Sequence, residues 1–138
     1  MIEQLKIKVG VTGTREGATN VQLKAVLEFM ESLGPDHELH HGDCRGVDEE
    51  VVELAKYLGW RIVCHPPASD YLRAHTKYDE IREPLGYLER DRNIVDETDF
   101  LIVVPFHNEW QPKGGTWYTH DYAKKMNKLL QVFYPGVK

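Results

Sequence analysis

Cysteine is scarce: 138 residues hold only Cys44 and Cys64, and neither belongs to a Cys-x-x-Cys pair. A disulfide framework or a zinc ribbon needs more than that, and the scarcity fits a reducing, cytoplasmic setting. Long apolar runs are missing too, with nothing near the roughly 20 residues of a membrane span. Met1-Ile2-Glu3-Gln4-Leu5-Lys6 lacks the apolar core of a secretion signal. A basic surplus is absent: 17 Lys+Arg stand against 22 Asp+Glu, a net charge of -5. That is the wrong sign for gripping a long phosphate backbone, so nucleic acid is not expected as a partner. Internal repeats and low-complexity tracts are lacking as well. What is present, 41% hydrophobic and 28% charged residues, suits one soluble domain over residues 1–138. A chain of this length buries enough surface to need no covalent staple.

Along the chain, strands and helices alternate. Ile7, Val9 and Val11 alternate with Lys8 and Gly10, a strand running into the glycine-bearing loop 12–17. Thr19 and Gln22 form a capping-box pattern ahead of Leu23, Val26, Leu27, Met30 and Leu33, one helical face stopped by Gly34-Pro35. A short strand at 38–40 leads to the loop 41–46, and Val47, Val51, Leu54, Ala55 and Leu58 mark a second helix. A third strand covers 61–65 and ends at Pro66-Pro67. Residues 68–86 lack a clear period and read as a partly helical surface excursion. A helix over 87–98 precedes Phe100-Leu101-Ile102-Val103-Val104, the continuous apolar pattern of a strand buried on both faces. The loop 106–115, a helix over 116–126 and a strand over 129–133 complete the order.

That alternation predicts an α/β fold: a single Rossmann-like domain whose five-stranded parallel sheet, order 3-2-1-4-5, has helices on both faces. Ligands in such sheets sit at the carboxyl ends of the strands, near the switch in strand order. The first loop carries Gly13, Thr14 and Arg15, small residues beside a guanidinium able to hold a phosphate. It matches neither the Gly-x-Gly-x-x-Gly fingerprint nor a Walker A loop, and its alternative reading is plain turn chemistry. Lys113-Gly114-Gly115-Thr116 opens a helix, where unpaired N–H groups and the helix dipole make an anion site. A Thr N-cap is its alternative reading.

Together, Gly13-Thr14-Arg15, His41-Gly42-Asp43 with Gly46-Val47-Asp48, the stretch Arg90 to Asp99 containing Arg92-Asn93, and Gly114-Gly115-Thr116 resemble the SLOG superfamily of Rossmann-like domains. These are relatives of the LONELY GUY phosphoribohydrolases, the lysine-decarboxylase-like proteins and the DprA/SMF domains. The pattern is most similar to the compact YspA and cpYpsA-related branch, and it spans Lys6 to Val132. The resemblance implies a bound nucleotide-derived small molecule (nucleotide, ADP-ribose-like or cyclic nucleotide), sensed or sequestered, with no cofactor and often a homodimer. It implies that Gly13, Thr14 and Arg15 face the phosphate and that Lys113, Gly114, Gly115 and Thr116 cradle it from the other side. His41, Gly42 and Asp43 fall on the second loop. Asp48 meets the ligand or the adjacent loop, or else complements its helix dipole. Asn93 locks a loop or reads a ligand edge, and Arg90 stands where the hydrolases carry a catalytic arginine.

One departure bears on activity. The hydrolases place a glutamate where this chain has Thr119. Cleaving a glycosidic bond needs a carboxylate, so the substitution predicts weak or absent hydrolysis, the alternative being a nucleotide N-glycosidase or a deoxyribosyltransferase-like enzyme. Metal is not expected, because His40, His41, Asp43 and Cys44 lack ligand spacing. The stretches 68–86 and 106–115 read as a mobile rim carrying Tyr71, Tyr78, His107 and Trp110.

Overall fold

The computed structural model describes residues 5–136, so the reading of Met1–Gln4 lies outside the described residues. The elements run β1 (Lys8–Gly13), α1 (Asn20–Leu33), β2 (Glu38–His41), α2 (Val47–Tyr57), β3 (Arg61–Cys64), β4 (Glu80–Ile81), α3 (Tyr87–Glu97), β5 (Phe100–Val104), α4 (Gly115–Lys125) and β6 (Leu129–Val132). All strand pairs are parallel, and the sheet order is β4-β3-β2-β1-β5-β6. The five expected strands keep their 3-2-1-4-5 order, but the sheet has six.

The extra strand corrects the reading of 68–86, which contains no helix. β4 is two residues long and edges the sheet against β3, pairing Val63 with Glu80 and Cys64 with Ile81. Asp79 holds it there: its carboxylate accepts from Ile62 N at 2.8 Å and its own N–H donates to Ile62 O. With Ile81 40% exposed, this strand has no buried face to leave a hydrophobic pattern.

β5 is buried on both faces, as its apolar run requires. Ile102 and Val104 join Val9, Val11, Leu39 and Ile62 under α1 and α2, while Leu101 and Val103 pack with Ile94, Val95 and Ala123 under α3 and α4. Thr19 caps α1 through the expected reciprocal pair with Gln22. The Gln22 amide N–H₂ also donates to Pro105 O and Phe133 O, both at 2.8 Å, tying the ends of β5 and β6 to that helix. Among the described residues no helix is long and apolar enough to cross a membrane.

Candidate functional site

The strand order switches between β1 and β5, since the chain leaves β1 toward β2 and β3 and returns on its other side. A cavity of about 630 Å³ opens there at the carboxyl ends of both strands, walled by the loops after β1 and β5, the start of α4 and one face of α3.

Close backbone approach shapes its floor. A Cβ on Gly13 would lie 2.4–2.8 Å from the Val47 side chain at the start of α2. Gly46, at φ +88, would drive a Cβ to 2.6 Å from Arg15 and Thr14 backbone atoms. The loop after β1 is thus locked to α2, and Val47 N–H donates to Thr14 O at 3.1 Å. The first N–H of α2 is spent on that bond. The entrance of α4 is open: Gly114 offers no capping side chain, and the N–H groups of Gly115, Thr116 and Trp117 have no protein acceptor among the described residues.

Beneath lies Arg90, 4% exposed. Its Nη1 donates to the carbonyl oxygens of Gly42 and His65, its Nε to Asp91 Oδ1 at 2.7 Å, and its Nη2 sits 3.7 Å from Cys44 Sγ. Gly42 is required here, since a Cβ would meet Arg90 Nη1 at 2.6 Å. Arg15 and Arg90 both stand 5.6 Å from the Tyr87 ring centroid, within cation–π reach.

Three carboxylates line the cavity as well, the exposed Glu16 beside Arg15 and the buried Asp48 and Asp91. Asp48 uses Oδ2 to accept from Gly42 N at 3.0 Å and Cys44 N at 3.2 Å, while Oδ1 has no partner among the described residues. Burial pushes Asp48 up to about 6, with the Arg90 charge opposing. Burial likewise raises Asp91, against the pull of Arg90. The Cys44 thiol is pushed up to about 11, first by burial and then by Asp48, which leaves it a poor nucleophile.

Of the residues singled out from sequence, Gly13, Thr14, Arg15, Gly42, Asp48, Arg90, Lys113, Gly114, Gly115 and Thr116 line this cavity. His41, Asp43 and Asn93 do not. His41 and Asp43 are fully buried. Asp43 anchors the segment after β3 instead, accepting from Arg73 Nε at 2.7 Å, from Thr76 N at 2.9 Å and from Thr76 Oγ1 at 2.8 Å. Asn93 and Arg92 sit on the wrong side of α3, with Arg92 Nη1 on the Tyr118 hydroxyl. Sequence reading missed Asp91, Tyr87, Leu88 and Phe106, all of which line the cavity. The missing signal was helical phase: Tyr87, Arg90, Asp91 and Ile94 follow i, i+3, i+4 and i+7 on one face.

Thr119 is 1% exposed and does not line the cavity; its hydroxyl donates to Gly115 O at 2.7 Å. The expected rim is pinned in two places. Asn108 pairs with Gly136 through two hydrogen bonds, and the Trp110 indole N–H lies 3.2 Å from both Asp121 carboxylate oxygens.

Two clusters carry metal-ligand atoms, His40 with His65 and Glu97, and His41 with Asp43 and Cys64. In the second, His41 Nδ1 accepts from Asp43 N at 2.9 Å, so the neutral ring keeps its proton on the buried, unpartnered Nε2 and has no lone pair there to give. In the first, His40 and His65 share a hydrogen bond at 2.9 Å, and the Arg82 guanidinium already neutralises Glu97 at 2.8 Å. Neither donor set suits a cation as arranged.

The fold is similar to that of TM1055, a protein solved by X-ray crystallography as a structural-genomics target. The TM-score is 0.64 at 17% sequence identity, over 91% of this chain and 72% of that one. Identity at that level speaks for shared architecture alone. No family model and no curated protein matches the sequence.

Proposed function

We propose that this chain is a SLOG-like domain that binds a nucleotide-derived small molecule in the cavity between β1 and β5, as a sensor or sequestering protein. The observation that carries the reading is the convergence, at the switch in strand order, of the uncapped start of α4 with the exposed side chains of Arg15 and Lys113. An anion there gains both the free N–H groups and two full positive charges. Leu88, Phe106 and Trp117 line the same cavity and give a flat apolar group somewhere to lie. Binding is put ahead of hydrolysis because α4, where the hydrolases carry their glutamate, contributes Gly115, Thr116 and Trp117 and no carboxylate, the cavity's acids Glu16, Asp48 and Asp91 coming from other elements.

Thermal unfolding with a panel of nucleotides and ADP-ribose tests this. A ligand at 100 times its dissociation constant adds about 2.7 kcal/mol. Arg15→Ala should lose most of that shift while leaving the unliganded protein as stable as before, since Arg15 is exposed. A panel that gives neither a thermal shift nor calorimetric heat refutes the proposal. Mass spectrometry of small molecules released on denaturing the purified protein identifies a co-purified ligand directly.

A further inference from the structure

The cavity is bipolar. Its cationic side, Arg15, Lys113 and the start of α4, accounts for an anion, but nothing in that explains Asp48 and Asp91 in the same wall. Both are buried, 6% and 7% exposed, and both interact electrostatically with Arg90 and with each other. Each presents a carboxylate edge to the cavity wall. Asp48 Oδ1 has no hydrogen bond among the described residues. Asp91 gives Oδ1 to Arg90, and its Oδ2 stands 3.6 Å from where a Gly115 Cβ would be, beside the first turn of α4. The Thr119 hydroxyl, 2.7 Å from Gly115 O, is also a hydrogen-bond partner of Asp91. Among the described residues the buried side-chain polar atom that lacks a partner is His41 Nε2, so these carboxylates meet the cavity and not a sealed interior, and a ligand hydroxyl can take the place of water as donor there.

We propose that Asp48 and Asp91 form a hydroxyl-reading subsite that accepts hydrogen bonds from the vicinal diol of a ribose whose 5′-phosphate lies on the start of α4. The inference rests on the nucleotide-binding reading and adds its sugar: a ribose with free 2′- and 3′-hydroxyls in place of a deoxyribose. A neighbouring diol supplies two donors to two acceptors: Asp48 is held through Oδ2 by the Gly42 and Cys44 amides and Asp91 through Oδ1 by Arg90, and both residues line the cavity. Asp91 borders Gly115, so a ligand phosphate at the start of α4 leaves its sugar beside that carboxylate.

Calorimetry with the full chain decides it. The probes are AMP, GMP, CMP, UMP, ADP-ribose and ribose 5-phosphate, with the 2′-deoxy and 2′,3′-dideoxy forms of each nucleotide that binds and 2-deoxyribose 5-phosphate. Losing hydrogen bonds to a charged acceptor should weaken the dideoxy form at least tenfold. Asp91→Asn should shrink that ratio to within about threefold while phosphate-dependent binding persists, and Asp48→Asn gives the same readout should Asp91→Asn fail to fold. Equal binding of the ribo and dideoxy forms overturns the subsite and leaves the binding proposal standing. Full discrimination retained in both variants overturns it too. Absence of binding by every ribose-bearing probe overturns both.

Discussion

Arg90→Met is the sharpest test of how the site is built. The substitution keeps the aliphatic stem and removes the guanidinium, which is 4% exposed and serves two backbone carbonyls and the Asp91 carboxylate. Asp91, 7% exposed, would then be a buried acid without its cation. Breaking a buried pair by deleting one partner costs about 3–5 kcal/mol, because the surviving charge loses its compensation. The whole domain holds about 5–15 kcal/mol, so the variant still folds but with a narrow margin. Equilibrium urea unfolding reads this directly: with a slope of roughly 2 kcal/mol/M, the midpoint should fall by about 2 M with the slope unchanged. Arg90→Met with Asp91→Asn should recover at least about 1 kcal/mol, since the second change removes the stranded charge. Arg92→Met, two positions along the same helix, should cost under about 0.5 kcal/mol, because that side chain reaches only the Tyr118 hydroxyl. A cost below about 1 kcal/mol for Arg90→Met, or equal costs at positions 90 and 92, would refute the argument.

Acid should destabilise the fold between pH 6.5 and 4. Burial holds His41 down at about 4 and His65 at about 3, so the unfolded chain takes up protons first and each histidine removes up to about 1.4 kcal/mol per pH unit below 6.5. Asp48, raised to about 6, works the other way, binding its proton more tightly in the folded state as pH falls. Urea midpoints at pH 7, 6 and 5 should therefore decline, more steeply in Asp48→Asn; a flat or rising series contradicts the signs. Gly13→Ala should cost about 1–3 kcal/mol or more, because Val47 is fully buried and stiff at χ1 and cannot yield to a Cβ at 2.4 Å. An unchanged thermal midpoint for that variant would show that α2 moves freely against the loop after β1.

The parts of the fold that follow a period were legible in the sequence. The capping box at Thr19 and the uninterrupted apolar β5 say what they are because each pattern has one low-energy use. β4 has no such pattern: two residues held by Asp79 and Arg82 depend on partners that only the folded chain brings near. The candidate site divides along the same line. Glycine loops at helix starts announce themselves, so Gly13 and Gly114 to Thr116 could be picked out as cavity residues. Asp43 could not be told from a ligand residue, because its partners Arg73 and Thr76 lie some thirty positions away. At α3 the motif drew attention to Arg92-Asn93, while helical phase turns Arg90 and Asp91 to the cavity and gives Arg92 to Tyr118.

A net charge of -5 and the proposed anion site are compatible because, Glu16 apart, the acids of the cavity lie deep and its free cations lie at the rim. At the cavity the acids Asp48 and Asp91 lie low, against Arg90 and the Gly42 and Cys44 amides. Arg15 and Lys113 stand at the exposed rim, where neither forms a salt bridge among the described residues. Beyond the roughly 8 Å screening length of physiological salt, the acidic surplus elsewhere counts for little against two nearby cations and a helix start. The depth order also orients a ligand. For the proposed nucleotide, a phosphate pushed inward would meet Asp48 and Asp91, while one at the rim would meet Arg15, Lys113 and the start of α4, which favours the sugar as the deeper part. Rigidity follows from the same arrangement: the floor is fixed by Gly13 against Val47 and by Gly42 against Arg90, and the loop after β5 is tethered at Asn108 and Trp110. Under the proposed function little ordering would remain for the ligand to impose, and such preorganisation favours binding of a small polar molecule with few contacts.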